Sequence, residues 1–311
     1  VSDIDNNQLL LFVNGAVSKV LFKDVQDNSG TCGGSYTGDG APFYYEGDDA
    51  YFELYNVCDP AGSIGIDSDR NIFVSGQSFV QDVWRFPAPI PTPNPGIAHS
   101  ADARIFKPYQ FAVHNYVGPA GLYAPLGIAV ADGQMIVADK QRIVFWNNPP
   151  YLTNGQPADG YVGTTNFYVF KDPQFSGDPQ FGRIRADTAH RLWVVRGDKV
   201  LVYQLPLHTG ATPIVTITSP LPVLGGGEIT WSGFLNMGDI EPTRSGSHIW
   251  LTDPTTHRVF RVRNPLTNPV VDIVLGQISL GGTECNQGRG QSSPSRNSLC
   301  RPGALALDQN N

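Results

Sequence analysis

Charged residues are scarce in this sequence, since Asp, Glu, Lys and Arg make up only 16% of its 311 residues. Long solvated helix faces need more charge than that, so a mainly helical protein is not expected. The sequence also lacks Lys/Arg-rich stretches and carries a formal net charge of −7, which argues against a nucleic-acid partner. No apolar run is long enough to cross a bilayer, so no membrane span is predicted.

Glycine and proline, in contrast, are abundant, with 34 Gly and 25 Pro. Together with a hydrophobic content of 41%, they indicate many turns, short strands and a core of good size. A sequence unit recurs along the chain: a Gly or Pro, a short apolar strand, a polar turn, a second apolar strand and a third strand that runs into a Pro. The equivalent apolar residues of the second strands lie 57 or 63 residues apart, at Val74, Val137, Val194 and Leu251.

This unit predicts a single all-β domain, a β-propeller of five blades with about four antiparallel strands each. A fifth copy starts at Pro302 and stops after its first strand, and the N-terminus resembles the missing strands. We therefore expect the last blade to be closed by the N- and C-terminal strands, which would remove the open edge of the ring. A six-bladed ring and a window cut from a longer array remain alternatives. The predicted blades span residues 62–115, 125–175, 181–232, 237–280, and 302–311 with 1–25.

The strand and turn motifs resemble the NHL repeat of secreted bacterial proteins. The best matches are Ile136-Val-Ala-Asp139 with Arg142-Ile-Val-Phe145, and Trp250-Leu-Thr-Asp253 with His257-Arg-Val-Phe260. Val274-Leu-Gly-Gln277, followed by a Cys-containing loop, is similar to the segments between blades in those proteins. The resemblance spans the chain and implies a propeller fold. It implies little about function, because one fold serves many functions.

The four cysteines predict two local disulfides. Cys58 and Cys300 each stand two residues before a Pro that opens a repeat, and Cys32 and Cys285 lie upstream in Gly-rich loops. This repetition favours the pairs Cys32–Cys58 and Cys285–Cys300. A four-cysteine metal site is the alternative, but no Cys-x-x-Cys spacing is present. Disulfides indicate an extracellular, secreted or cell-surface protein.

Catalytic and metal-binding motifs are not evident. No Gly-x-Ser-x-Gly elbow or phosphate-binding glycine loop occurs, and the six His lack metal-ligand spacing. The amidating lyase that shares this fold relies on a cluster of histidines around a metal, and no such cluster can be assembled from this sequence. Asp139 with Arg142, and Asp253 with Arg258, are interpreted as pairs that brace turns within a blade. No cofactor or metal is predicted; a structural calcium is the alternative, because Asp3, Asp5 and Asn7 have alternating oxygen spacing, although the Gly and Glu of a complete loop are lacking.

One segment, inserted between Cys32 and Cys58, differs from the repeats and is rich in tyrosine and acidic residues. Tyrosine side chains offer a large amphipathic contact area at low entropic cost, so the segment is a candidate binding loop. An alternative is that the aromatic residues cover the flank of a blade. The candidate binding residues are Asp39, Tyr44, Tyr45, Glu46, Asp48, Asp49, Tyr51 and Tyr55.

From these observations we expect a non-catalytic propeller, not an enzyme, that binds a protein or a glycan. It could also self-associate through its termini as a unit of a surface or filament assembly. The alternative is a metal-dependent lyase or lactonase with its site in the central channel.

Overall fold

The computed structural model describes residues 63–75, 83–88, 118–123, 125–153, 155–168, 180–231 and 238–307, and the strand backbone at 2–3, 8–13, 16–23 and 103–104. Within these residues the regular structure is almost entirely β-strand. The helical elements described are two short 3-10 segments, Pro149–Tyr151 and Cys285–Gly288. The prediction of an all-β chain is therefore confirmed.

The strands form four four-stranded antiparallel sheets, numbered 1 to 4 below, together with a three-stranded N-terminal sheet and a two-stranded hairpin. The N-terminal sheet contains β1 Ser2–Asp3, β2 Gln8–Val13 and β3 Ala16–Lys23. Sheet 1 contains β4 Ile64–Ile66, β5 Ile72–Ser75, β6 Val83–Phe86 and β7 Ala103–Arg104. Sheet 2 contains β8 Pro125–Ala131, β9 Gln134–Asp139, β10 Arg142–Asn147 and β11 Gly160–Val162.

Sheet 3 contains β12 Phe181–Ala186, β13 Arg191–Arg196, β14 Lys199–Gln204 and β15 Val215–Thr218. The hairpin contains β16 Leu221–Pro222 and β17 Glu228–Ile229. Sheet 4 contains β18 Ile240–Pro242, β19 His248–Asp253, β20 Arg258–Arg263 and β21 Val270–Leu275. In each four-stranded sheet every strand pairs with the next one along the chain.

Tight turns set the register of these sheets. Between β8 and β9, Ala131 pairs with Gln134, which leaves only Asp132 and Gly133 in the loop. Both have positive φ, 50° and 72°. A two-residue turn of this kind matches the right-handed twist of the flanking strands, and Asp-Gly is one of the sequences that adopt it most readily.

Apolar side chains fill the spaces between neighbouring sheets. Trp146 is fully buried in the cluster between sheets 1 and 2, and Phe181 is fully buried in the cluster between sheets 2 and 3. Trp193 and Phe260 occupy the cluster between sheets 3 and 4. Burying one such large apolar side chain contributes about 1.5–3 kcal/mol, so the stacking of the sheets supplies most of the core.

The first strands of successive sheets also contact one another, in the order β4, β8, β12 and β18. At Gly127 the approach is so close that a Cβ atom would lie 2.7 Å from the carbonyl oxygen of Gly182. A side chain at position 127 would push β8 and β12 apart, which explains why this residue is a glycine. Sheets that stack in chain order around their first strands are typical of a propeller-type fold.

The predicted second strands are present as β5, β9, β13 and β19. The number of blades stays a prediction. Residues 302–307 form no strand with the other described residues, although the Leu305 N–H donates to the Asp239 carboxylate over 2.9 Å, next to β18. In the N-terminal sheet β2 pairs with β1 on one side and with β3 on the other. The predicted domain boundaries likewise remain predictions.

A disulfide joins Cys285 to Cys300, as predicted. It closes a loop in which the buried Asn286 amide donates to the carbonyl oxygen of Gly290 over 2.8 Å. Cys32 and Cys58 lie outside the described residues. A search of the described part of the chain for a helix able to cross a membrane found none.

Candidate active site

The candidate loop predicted from the sequence lies outside the described residues, so its role stays a prediction. The same holds for the side chains of the calcium-like segment at 3–7. The residues concerned in the loop are Asp39, Tyr44, Tyr45, Glu46, Asp48, Asp49, Tyr51 and Tyr55.

The two predicted turn-bracing pairs are confirmed, and both are buried. Arg142 Nε donates to Asp139 over 3.0 Å, and Arg258 Nη2 lies 3.4 Å from Asp253. Each guanidinium also donates to backbone carbonyl groups of neighbouring loops, so these pairs join blade segments and are not open to a ligand.

A different cluster of charged residues lies on the first strands. The central isoleucines of these strands, Ile64, Ile128, Ile184 and Ile240, pair with the second strands of their sheets. Because side chains alternate along a strand, the residues before and after each isoleucine share the opposite side. These positions are occupied by Ser63 and Gly65 in sheet 1, Gly127 and Ala129 in sheet 2, Arg183 and Arg185 in sheet 3, and Asp239 and Glu241 in sheet 4.

Arg185 is the centre of this cluster. Its Nε donates to Glu241 over 3.1 Å, and its Nη2 donates to Asp239 over 3.1 Å. Its Nη1 donates to the hydroxyl oxygen of Ser63 over 3.2 Å, although Ser63 lies 122 residues earlier in the chain. One side chain therefore joins sheets 1, 3 and 4 where their first strands meet.

Asp239 is the fixed anion of the cluster. Its side chain is only 2% exposed. One carboxylate oxygen accepts the backbone N–H of Ile240, and the other accepts the N–H of Leu305 as well as Arg185. The backbone N–H of Asp239 itself donates to the hydroxyl of Thr252 over 2.6 Å. These bonds hold the carboxylate in one position.

Arg183 provides a second guanidinium beside this anion. Its Nη1 donates to the carbonyl oxygen of Leu126 over 3.0 Å, which bridges sheets 2 and 3. Burial lowers the pKa of Arg183, and the nearby Asp239 carboxylate opposes that effect. The formal charges of the two arginines and the two carboxylates cancel.

Glu241 is the more exposed carboxylate of the cluster and has fewer hydrogen-bond partners than Asp239. Its side chain is 23% exposed, and Arg185 is its hydrogen-bond partner among the described residues. Burial raises the pKa of Glu241; the Arg185 guanidinium opposes the rise through charge and hydrogen bonding, and the neighbouring Asp239 carboxylate adds to it. A carboxylate that is held near water yet resists ionisation can accept and return a proton.

This cluster forms no motif of neighbouring residues, so it was not predicted from the sequence. A signal was nevertheless present. The positions flanking the central isoleucine are small in the first two repeats, whereas Arg183, Arg185, Asp239 and Glu241 fill them in the next two. Charged residues on the first strands, where the sheets converge, mark a site that no local motif displays.

A resident metal does not fit the described residues. Among them no group of three or more His, Cys, Asp and Glu side chains could hold a metal ion. The two clustered carboxylates are both bonded to Arg185. The arrangement is instead suited to proton transfer by Glu241 and to stabilisation of negative charge by guanidinium groups.

Comparisons with known proteins give a fold-level likeness. No protein-family model and no curated protein sequence matches the chain. A periplasmic gluconolactonase of Pseudomonas aeruginosa matches with a TM-score of 0.46 and 12% identity, over 74% of this chain and 60% of its own. A proposed 6-phosphogluconolactonase of Bacteroides uniformis matches at 0.42 and 13%, over 69% and 55% of the two chains. A protein of Lactobacillus plantarum matches at 0.44 and 11%, over 72% and 56%. This chain thus spans somewhat over half the length of these structures.

These comparisons correct the expectation of a non-catalytic binding or scaffold protein that is not an enzyme. Two of the matched structures are named as lactonases, that is, as enzymes. The earlier expectation rested on the lack of sequence-local motifs, and a site assembled from several repeats needs none. The NHL-repeat resemblance stays a prediction, since no family model matches.

Proposed function

We propose that this chain is a lactonase-type hydrolase of propeller fold, and that its active site is the first-strand cluster of Arg183, Arg185, Asp239 and Glu241. The observation that carries the proposal is Glu241, a partly exposed carboxylate whose pKa is raised beside a guanidinium group. The names of the two lactonases agree with this reaction, and the residues of the site supply its chemistry.

In this proposal Glu241 acts as general base. It takes a proton from a water molecule as the water oxygen bonds to the carbonyl carbon of the lactone. The carbonyl oxygen gains negative charge, which the N–H groups of Arg185 stabilise. The bond from the carbonyl carbon to the ring oxygen then breaks, and Glu241 returns its proton to that oxygen. The product is a hydroxy acid, so all atoms of the water molecule are accounted for.

Asp239 has a supporting role in this scheme. Its carboxylate accepts three N–H donors and is almost fully buried, so it is poorly placed to accept a proton from water. It holds Arg185 in position and, through its negative charge, helps to raise the pKa of Glu241. The two acids therefore divide the work: one orients the guanidinium and the other transfers the proton.

The test is hydrolysis of D-glucono-1,5-lactone by the full chain, corrected for the spontaneous reaction. Glu241→Gln keeps the shape of the side chain but cannot accept the proton. We expect it to lower kcat by about 10²–10⁴-fold, the usual contribution of a general base. A pH series should show that the rate of the wild-type protein falls as Glu241 becomes protonated at low pH.

Arg261→Met is the matched control, because Arg261 also pairs with a carboxylate, Asp272, but lies on β20 outside the cluster. Its activity should equal that of the wild type. The assays are run with a chelator and again with added zinc, calcium or manganese. Lack of acceleration over the spontaneous rate would overturn the proposal, and activity only with added metal would overturn the residue assignment.

We further propose that the protein works outside the cytoplasm, as the sequence predicts. The Cys285–Cys300 disulfide supports this, because such bonds persist in oxidising compartments. A polyhydroxylated sugar lactone would also suit the glycan-type partner expected from the tyrosine-rich segment. Alkylation of thiols in intact source cells, followed by mass measurement, tests the location: a reduced Cys285 would contradict it.

A further inference from the structure

We propose that Arg185 anchors an exchangeable anion site, at which a small carboxylate or phosphate displaces Glu241 from the guanidinium while Asp239 stays in place. The inference rests on the proposed function in that it concerns the same cluster. It goes further by naming the class of ligand that binds there and the proton that accompanies it. It requires binding only, not hydrolysis.

The two carboxylates differ in exposure and in their number of hydrogen bonds, which is why Glu241, and not Asp239, is expected to be displaced. Asp239 is 2% exposed and accepts backbone N–H groups from Ile240 and Leu305 in addition to Arg185. Glu241 is 23% exposed and is bonded to Arg185 alone among the described residues. An entering anion reaches the Arg185–Glu241 contact from water, and only Glu241 can leave without breaking a backbone bond.

The guanidinium offers a suitable surface to such an anion. The Arg185 side chain is 26% exposed, and Nε, which is bonded to Glu241, is one edge of a planar fork of donors. Forks of this kind bind carboxylates and phosphates through two parallel hydrogen bonds. Glu241 uses only the Nε donor, while Nη2 donates to Asp239 and Nη1 to Ser63 and to the Ile184 carbonyl oxygen. An anion that takes Nε and shares Nη2 with Asp239 makes two bonds where Glu241 makes one.

The exchange has a consequence for Glu241. In the structure Arg185 lowers the pKa of Glu241, while burial and the Asp239 carboxylate raise it. When an anion takes Arg185, the lowering effect is lost and a further negative charge stands beside Glu241. While the Glu241 carboxyl group stays buried, its pKa then rises further, and we expect Glu241 to take up a proton from solvent. Ser63, which contacts Arg185 from sheet 1, is uncharged. Arg183 is the other charged residue beside Asp239.

The experiment is isothermal titration of the full chain with inorganic phosphate and, separately, with D-gluconate. Each titration is repeated in buffers that differ in ionisation enthalpy, which reports the number of protons taken up. The pH series begins near the ordinary pKa of a glutamate, about 4.3, and extends upward. The wild type should bind at least one of the two anions with proton uptake, and the tighter ligand assigns the site to phosphate or to carboxylate chemistry.

The variants separate the two parts of the inference. Arg185→Met should bind about tenfold to a hundredfold more weakly, the usual loss for a charge-assisted contact. Glu241→Gln should bind the anion without proton uptake, and Arg261→Met should behave as the wild type. Arg185→Met leaves Asp239 buried without its cation and can therefore fail to fold. In that case the inference is tested by comparing the number of protons taken up on anion binding by Glu241→Gln and by the wild type.

Three results would overturn the inference: no binding of either anion to the wild type, undiminished binding by a folded Arg185→Met, or equal proton uptake by Glu241→Gln. Its failure is distinct from that of the proposed function. Anion binding with proton uptake but no lactone hydrolysis removes the hydrolase and keeps the exchange site. Lactone hydrolysis that depends on Glu241, without anion binding, keeps the hydrolase and removes the exchange site.

Discussion

Arg142 provides the sharpest test of how the blades are held together. It is 2% exposed and pairs with Asp139, which is 1% exposed. It also donates to the carbonyl oxygens of Gly118, Gly121 and Phe167, on segments before β8 and after β11. Arg142→Met leaves Asp139 charged and buried without its cation. Removing one partner of a buried pair costs about 3–5 kcal/mol, so we expect a loss of about 4 kcal/mol in the free energy of unfolding.

That loss is a large part of a total stability of about 5–15 kcal/mol, and urea unfolding will measure it readily. The double variant Asp139→Asn with Arg142→Met removes the stranded charge. It should therefore be about 1–3 kcal/mol more stable than the single Arg142 variant, and together with the single Asp139→Asn variant it should show coupling in a double-mutant cycle. The exposed Arg296→Met serves as control and should change stability by less than about 0.5 kcal/mol. Additive single effects, without coupling, would refute the charge-based reasoning.

Two further predictions concern sheet 4 and its loop. Replacing both cysteines of the Cys285–Cys300 bond by serine opens a loop with a sequence separation of 15 and should cost about 3 kcal/mol in unfolding free energy, measured by urea denaturation; an unchanged midpoint would contradict this. Two hydrogen bonds from Arg261 lower the pKa of Asp272. Its folded pKa is thus below its unfolded one, so the stabilisation is present above the unfolded value, about 3.9, and is lost as the pH falls through the folded value. Asp272→Asn should remove this acid-side loss from a plot of unfolding free energy against pH, and a plot identical to that of the wild type would argue against the pair.

The strands can be predicted well from the sequence because strand formation depends mainly on residues that are close together in the sequence. Alternation of apolar residues and the turn residues around Asp132 act within a few positions, so β9 and its hairpin partners could be placed from the sequence. The Asp139–Arg142 pair was also predicted, since both residues flank one turn. Local signals of this kind fix the secondary structure and the bracing of each sheet.

The first-strand cluster of Arg183, Arg185, Asp239 and Glu241 could not be predicted in the same way. The bond between Arg185 and Ser63 spans 122 residues and depends on how the sheets stack. The pattern of each strand shows which side its residues share, but not that three sheets bring these positions to one place. Recognising the cluster required the contacts between first strands, which are a property of the assembled sheets.

Two arginine–carboxylate pairs of this chain differ in how the arginine acts on the pKa of its carboxylate. Arg261 holds Asp272 by two parallel bonds and lowers its pKa, so ionisation of Asp272 stabilises the fold. Arg185 gives Glu241 one bond and is shared with Asp239, and the pKa of Glu241 is raised. The folded pKa of Glu241 is above its unfolded one, so its contribution to stability is present at low pH and is lost as the pH rises through the folded value. The fold therefore becomes less stable when Glu241 ionises, which agrees with the proposed role of Glu241 in proton transfer.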